Sequence, residues 1–261
     1  MTFSTESYRI DGKVAVITGA GGRGNSIGRA YACGLAAAGA SVIVADLNLE
    51  GAELVAREIV EAGGKAHAVQ VDISDAASVA RMAAASKAVF GGVDILINNA
   101  ALMVEVPHGS TLGVTSEIWD KVMRVNLTGA FLCCQALVPL MRERGGGKIV
   151  NQVSAGAFPP ATLYGISKLA LWGLTTTLAR ELGKDKINVN AIAPGATMSD
   201  AGKALTPTDS PFVKAIEASV PLRFRGQPDE LVGAMLLLCS PAGDWITGQV
   251  LNVDGGWVIR V

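Results

Sequence analysis

Short apolar runs that alternate with helix-patterned stretches constrain this 261-residue chain more than any other feature. Residues 13–18, 41–46, 66–72, 93–97, 148–153, 186–192 and 250–253 read as strands. Residues 26–38, 49–61, 74–90, 116–144 and 163–182 read as helices, several of them stopped by glycine at Gly39, Gly63 and Gly91. Strands that are apolar at consecutive positions, not at alternate ones, have both faces covered, which is the mark of a parallel sheet. Right-handed crossovers then give a doubly wound α/β architecture with helices on both faces. No linker divides the chain, so residues 1–261 are expected to form one domain. The 196–226 stretch, rich in proline, threonine and serine, reads as a mobile insertion beside a site.

Composition narrows the function classes. Half of the residues are hydrophobic and 17% are charged, which suits a large core and not a disordered chain. Lys and Arg (22) balance Asp and Glu (23) with no basic stripe, so a nucleic-acid surface is not expected. The densest apolar run, Leu231 to Cys239, is too short to span a bilayer and is broken by Gly233, so no membrane partner is expected. The first residues lack a charged start followed by an apolar stretch, which points to a cytosolic protein. Cys33, Cys133, Cys134 and Cys239 show no Cys-x-x-Cys spacing, and His67 and His108 have no ligand partner at helical spacing, so neither disulfides nor a metal is expected.

The first strand runs into Thr18-Gly-Ala-Gly-Gly-Arg-Gly-Asn-Ser-Ile-Gly28 and then a helix. Glycines permit close approach of backbone to a ligand, and a helix N-terminus turns its N–H groups toward an anion. Strand before and helix after are the context of a dinucleotide loop. Gly19, Arg23, Ser26, Ile27 and Gly28 are its candidate contacts. Asp46, with Leu47 beside it, closes the second strand, where a carboxylate accepts hydrogen bonds from ribose hydroxyls and repels a 2′-phosphate. Arg23 would favour that phosphate. With Asp46 at the diagnostic strand end, the expected cofactor is NAD in preference to NADP.

Tyr164-Gly-Ile-Ser-Lys168 places a phenol and an ammonium one helical turn apart. A fixed ammonium favours the phenolate, so the pair reads as a proton donor and acceptor expected to work near neutral pH. The same spacing also suits a packed tyrosine with a solvated lysine.

In order along the chain stand Thr18-Gly19 to Gly28, Asp72 after the third strand, Asn98-Asn99-Ala100, Asn126 in Arg-Val-Asn-Leu, Ser154, Tyr164-x-x-x-Lys168, Pro194-Gly195 and Asp254-Gly255-Gly256. This series resembles the short-chain dehydrogenase/reductase family over nearly the whole chain. The resemblance implies a single-domain Rossmann fold, an NAD(P)-dependent alcohol dehydrogenase or ketoreductase, and a homotetramer. It implies that Tyr164 is the general acid/base, that Lys168 holds the nicotinamide ribose and lowers the tyrosine pKa, and that Ser154 bonds the substrate oxygen. Asn126 would hold a relay water. Asp72 and Ile73 would contact adenine, Asn98 would lie by the adenosine ribose, and Thr197 and Ser199 would meet the nicotinamide carboxamide and phosphates. Outside such roles, Asp72 could cap the helix near Ser74 and Ser154 could be a turn residue.

Three departures stand out. Three extra residues lengthen the glycine loop, and its Asn25-Ser26-Ile27 is similar to the loop of enoyl-thioester reductases. That branch separates its tyrosine and lysine by seven positions and not four, which disfavours enoyl reduction here. Ser154 and Tyr164 are ten positions apart where the family has thirteen, which should reshape the substrate pocket. The longer loop at 102–113 offers Glu105 and His108 as further contacts. Leu102, Met103, Val104, Ala155, Phe158, Pro159, Leu163, Phe212 and Trp257 make a mainly apolar lining, so the expected substrate is a neutral, fairly hydrophobic secondary alcohol, cyclic ones included, or its ketone; Arg223 and Arg225 would serve an acidic one. An NADPH-dependent 3-oxoacyl-thioester reductase and a non-catalytic dinucleotide sensor or scaffold are the alternatives.

Overall fold

The computed structural model describes residues 4–22, 24–107, 109–205 and 211–259. Seven strands form one parallel sheet: β1 (Val14–Thr18), β2 (Ser41–Asp46), β3 (Lys65–Gln70), β4 (Ile95–Asn98), β5 (Gly147–Gln152), β6 (Ile187–Pro194) and β7 (Val250–Val253). Their order is β3-β2-β1-β4-β5-β6-β7, so the chain reverses its winding direction between β1 and β4. A crevice opens at such a switch point, beyond the carboxyl ends of the strands.

Consecutive apolar residues in a strand serve opposite faces. Ile17 packs with Tyr31, Leu35, Val44, Ile59 and Met235, while its neighbour Val16 packs with Ile43, Met82, Leu96, Leu137 and Ile149. The first face is covered by α1 (Ile27–Ala37), α2 (Leu49–Glu61) and α9 (Val232–Cys239). The second is covered by α3 (Ala76–Phe90), α5 (Ala130–Glu143) and the end of α6 (Leu163–Leu182). Each large side chain buried completely contributes about 1.5–3 kcal/mol relative to exposure.

Local chemistry sets where helices begin. Ser26, Asn48 and Thr162 accept from backbone N–H groups in the first turns of α1, α2 and α6. Asp75 and not Asp72 caps α3, accepting from Ala77 and Ser78. The 116–144 region is a helix in three pieces, α4 (Ser116–Met123), a π-helical turn (Arg124–Gly129) and α5. As a continuous stretch, Ser116–Glu143 is long and apolar enough by length and composition to cross a membrane, against the sequence expectation that no such run exists. Its Cys133, Leu137 and Met141 are packed into the sheet's second face.

The 196–226 stretch, expected as an insertion beside a site, has helices of its own and lines the crevice through Thr197, Ser199 and Ala201. It carries α7 (Asp200–Leu205) and α8 (Pro211–Ser219), and Thr197 bridges to Gly226. Leu231–Cys239, weighed above only as a bilayer span, buries Met235, Leu238 and Cys239 as part of α9.

At the amino ends of the strands, Asp94 is almost fully buried and accepts from Val14 N at 2.9 Å, Arg144 Nη2 at 3.0 Å and Lys13 Nζ at 3.3 Å. Replacing it with alanine leaves a buried N–H and two cations without their acceptor. Asp94→Ala is expected to lower unfolding free energy by about 2–4 kcal/mol in urea titration, with wild-type stability the outcome that contradicts this.

Candidate active site

A cleft of about 480 Å³ lies at the carboxyl ends of the strands, over the β1–β4 switch. A larger concavity of about 830 Å³ sits at the opposite ends, where Arg144 and Lys148 are paired with Asp94 and Asp244. Only the first holds the glycine loop and the Tyr164 hydroxyl region together.

The loop wall is built from close approaches. Gly19 adopts φ +67°, and a β-carbon there would lie 2.7 Å from Ala100 Cα. One on Gly28 would lie 2.2 Å from Gly19 O and 2.7 Å from Asn99 Nδ2. Asn99 Nδ2 donates to Thr18 O and Gly19 O at 2.9 Å each, fixing where the loop leaves the sheet. Ser26, Ile27 and Gly28 then present the α1 N-terminus to the cleft. Arg23 and His108 lie outside the described residues.

Asp46, Leu47, Asp72 and Ile73 line the far end. The Asp46 carboxylate accepts from Gly21 N at 2.8 Å and Asn48 N at 2.9 Å, so β2 holds the glycine loop through the same group that faces the cleft. Asp72 Oδ1 accepts from Ser74 N at 2.8 Å and Ser74 Oγ at 2.7 Å. A dinucleotide fits this wall: glycines where a β-carbon cannot enter, a helix N-terminus for its phosphates, a strand-end carboxylate for its ribose and an apolar Ile73 beside Asp72 for its base.

Asn98 is not by the cleft, contrary to expectation. Strand alternation turns its side chain inward, where Nδ2 donates to Asn151 Oδ1 at 2.8 Å, and Asn151 continues to Thr175 Oγ1 at 2.9 Å. It ties β4 to β5 and α6. The next residue, Asn99, lines the cleft in its place.

On the opposite wall stand Ser154, Tyr164, Thr197 and Ser199. Ser154 leaves the end of β5 in a tight turn, accepting from Gly156 N at 3.1 Å. The short connection folds onto the start of α6, where a β-carbon on Gly165 would be 2.7 Å from Gly156 O. Tyr164 thereby comes to line the cleft beside Ser154. Lys168 is buried one turn later; its Nζ donates to Gln152 O at 2.8 Å and lies 5.6 Å from the Tyr164 ring centre. Thr197 Oγ1 and Ser199 Oγ are 3.3 Å apart, and Ser199 accepts from Gly202 N at 3.1 Å.

Asn126 sits buried in the π-helical turn, a feature that often marks functional sites. Its Oδ1 accepts from Leu102 N at 2.8 Å, and Nδ2 donates to Leu102 O and Ser167 Oγ at 3.0 Å each. Both amide hydrogens are thus engaged by protein, and the side chain fixes the cleft loop at Leu102.

Burial dominates the electrostatics of the pair. It raises the Tyr164 phenol above its ordinary value, opposed by the Ser154 hydroxyl. Burial also lowers Lys168 to about 7. The chain therefore disfavours both charged forms, and the lysine does not by itself bring the phenol down to neutral pH. An acid/base residue shielded from water in a cleft remains the kind of perturbed group that marks an active site.

Leu102 and Met103 line the cleft as expected, together with Val125 and Val153, which sequence reasoning missed. Phe158 instead packs edge-on against Trp172 at 5.7 Å, and neither it, Pro159 nor Trp257 reaches the cleft. Glu105 and Gln152 add polar groups, so the lining is less apolar than the sequence suggests. Arg225 is buried and donates to Thr197 O at 3.0 Å, supporting the wall from behind. Asn99 stands in the Asn98-Asn99-Ala100 motif and Asn25 in the glycine loop, whereas Gln152 carries no signal beyond its place at the end of β5.

Gly28→Ala is expected to weaken dinucleotide binding by about tenfold or more, since the new methyl displaces Gly19 O and the Asn99 amide. Calorimetric titration with NAD measures this; unchanged affinity would show that the loop accommodates a side chain.

Comparison with known proteins places this geometry. Residues 22–258 match the family model described as enoyl-(acyl carrier protein) reductase. An uncharacterized oxidoreductase of Mycobacterium tuberculosis is 46% identical over 250 residues, spanning 96% of this chain and 99% of that one. The 7alpha-hydroxysteroid dehydrogenase of Escherichia coli K12 is 36% identical over 259 residues, 98% of each chain. A solved 7 alpha-hydroxysteroid dehydrogenase in complex with NADH and 7-oxo glycochenodeoxycholic acid superposes with a TM-score of 0.91 at 35% identity, covering 99% of both chains. The glycine loop over the sheet's switch point, with Ser154 and Tyr164 facing it, thus agrees with sequence and structural relatives alike: the chain belongs to the short-chain dehydrogenase/reductase family and is a nicotinamide-dinucleotide-dependent oxidoreductase acting on CH–OH groups.

Proposed function

We propose that this protein is an NAD-dependent dehydrogenase interconverting a neutral secondary alcohol, one carrying an apolar body such as a ring, with its ketone. The observation that carries the reading is that Tyr164 and Ser154 line one wall of the cleft whose other wall is the glycine loop, with Lys168 buried one helical turn after Tyr164. Asp46 at the end of β2 supports NAD over NADP, because a 2′-phosphate would stand against its carboxylate. Leu102, Met103 and Val153 offer the apolar surface, and Glu105 at the same cleft disfavours an anionic substrate.

In oxidation, Ser154 and Tyr164 hold the substrate hydroxyl, and Tyr164 accepts its proton as the carbinol carbon gives up hydride. In reduction, Tyr164 returns that proton to the carbonyl oxygen. The bound dinucleotide supplies the hydride acceptor or donor. Lys168 reaches the ribose side from beneath Tyr164, and its anchoring on Gln152 O fixes the distance between ammonium and phenol. Asn126 holds Leu102 against the substrate and, through Ser167, braces the first turn of α6, since Ser167 Oγ donates to Tyr164 O at 2.7 Å. Thr197 and Ser199 meet the nicotinamide side. Half-exposed Trp119, Phe131 and Trp172 support a homotetramer assembled through α4 to α6, as the family resemblance implies.

Tyr164→Phe is expected to lose turnover by about 10³-fold or more in an NAD-reduction screen over varied secondary alcohols, with NAD binding retained. Robust turnover by that variant sinks the reading. Strong preference for NADPH with 3-oxoacyl thioesters would favour the ketoreductase alternative, and tight NAD binding with no turnover a sensor.

The raised phenol fixes a sign for pH. Oxidation needs the phenolate, a minor form at every pH below the raised pKa, so its rate should climb with pH through the neutral and alkaline range; reduction needs the phenol and should stay level until pH passes the ordinary tyrosine value of about 10. Parallel pH–rate profiles in the two directions test this, and profiles of the same slope would exclude Tyr164 as the titrating group.

A further inference from the structure

The three extra residues of the glycine loop have a specific structural use. Asn25 reaches across to the segment that follows Pro194-Gly195. Its N–H donates to Asp200 Oδ2 at 2.9 Å, and its carbonyl accepts from Asp200 N at 2.9 Å. Its Nδ2 donates to Met198 O at 3.0 Å and to Gln227 Oε1 at 3.2 Å. Gly24 passes so close that a β-carbon would lie 2.3 Å from Asp200 Oδ2, and its φ is +73°. The far side of the same segment is held by the 225–227 strip, through Met198 N to Gly226 O at 2.8 Å and Arg225 to Thr197 O at 3.0 Å.

Three hydrogen bonds therefore tie the loop that wraps a dinucleotide's phosphates to the base of α7, and a fourth ties it to Gln227; Thr197 and Ser199 of that base line the cleft. We propose that Asn25 is a positioning residue that fastens the 197–205 segment to the glycine loop, so that ordering of the loop by a bound dinucleotide is passed directly to the wall that receives the alcohol. The proposal rests on the dehydrogenase reading for the identity of the ligand, while the tie itself does not.

The chemistry of the amide makes the tie testable apart from simple space filling. Both Nδ2 hydrogens face acceptors, Met198 O and Gln227 Oε1. Asn25→Ala removes those two bonds and no part of α7. Asn25→Asp keeps the shape but sets a carboxylate oxygen against both acceptors and a charge beside Asp200. If the side chain only filled space, the aspartate would behave as wild type and the alanine would be the worse variant.

Hydrogen exchange of the full-length protein reads the result through peptides covering 197–205, with and without saturating NAD, beside calorimetric NAD affinity. Exchange in this segment should be faster in both variants, more so for aspartate than alanine, by about tenfold or more. NAD should slow it in wild type and much less in the variants, even where NAD is shown to be bound. The variants' KM for the alcohol should rise more than their kcat falls, and Lys203→Ala on α7 itself should keep the wild-type response to NAD. Wild-type exchange in Asn25→Asp, or an undiminished NAD response in both Asn25 variants, overturns the proposal. If wild type binds neither NAD nor NADP, the dehydrogenase reading fails and the coupling with it, while the exchange difference without nucleotide still decides whether the tie exists.

Discussion

The cleft depends on one small cluster of hydrogen bonds at the ends of β1 and β4. Thr18 Oγ1 donates to Ile97 O at 3.3 Å and accepts from Asn99 N at 3.1 Å and Ala100 N at 3.2 Å, while the Asn99 amide takes the carbonyls of Thr18 and Gly19. Two adjacent parallel strands whose crossovers leave in opposite directions would otherwise splay at their ends. The cluster holds them at a fixed separation, and Gly19 and Gly28 let the loop fold tightly over the gap. Everything that follows, including the α1 N-terminus and the facing wall at Ser154, is placed relative to that junction.

Much of the molecule was legible from its residues. Runs that are apolar on both faces specify a buried parallel sheet, and capping side chains with glycine stops mark the helices; the ranges read for β2, α2, α6 and β7 coincide with the structure. The site residues that lie at strand ends or helix starts were legible for the same reason, because such positions are set by local pattern: Gly19, Ser26, Ile27, Gly28, Asp46, Asp72, Ser154 and Tyr164 share one cleft.

What was not legible depends on which way a side chain turns and what surrounds it. Asn98 and Asn99 are neighbours of identical chemistry, and only the phase of β4 decides that the first joins a buried amide ladder and the second faces the cleft. The effect of Lys168 on Tyr164 looked settled by spacing, yet burial acts on both groups and opposes their charged forms. The 196–226 stretch reads as loop because its prolines and short polar residues break any long period; the start of its first helix is held by Asn25, far away in sequence, which no local window contains.

The π-helical turn between α4 and α5 carries a consequence for how this chain tolerates change. An α-helix advances about 100° per residue, so the wide turn sets the rotational phase of α5 relative to α4. Val122 of α4 packs with Val106 and Leu163, while Cys133, Leu137 and Met141 of α5 pack on the sheet. Loss of one residue from Arg124–Gly129 would regularise the hydrogen bonding but swing one of those faces away from its partner. Descendants of this chain can thus vary the side chains along the segment far more freely than its length.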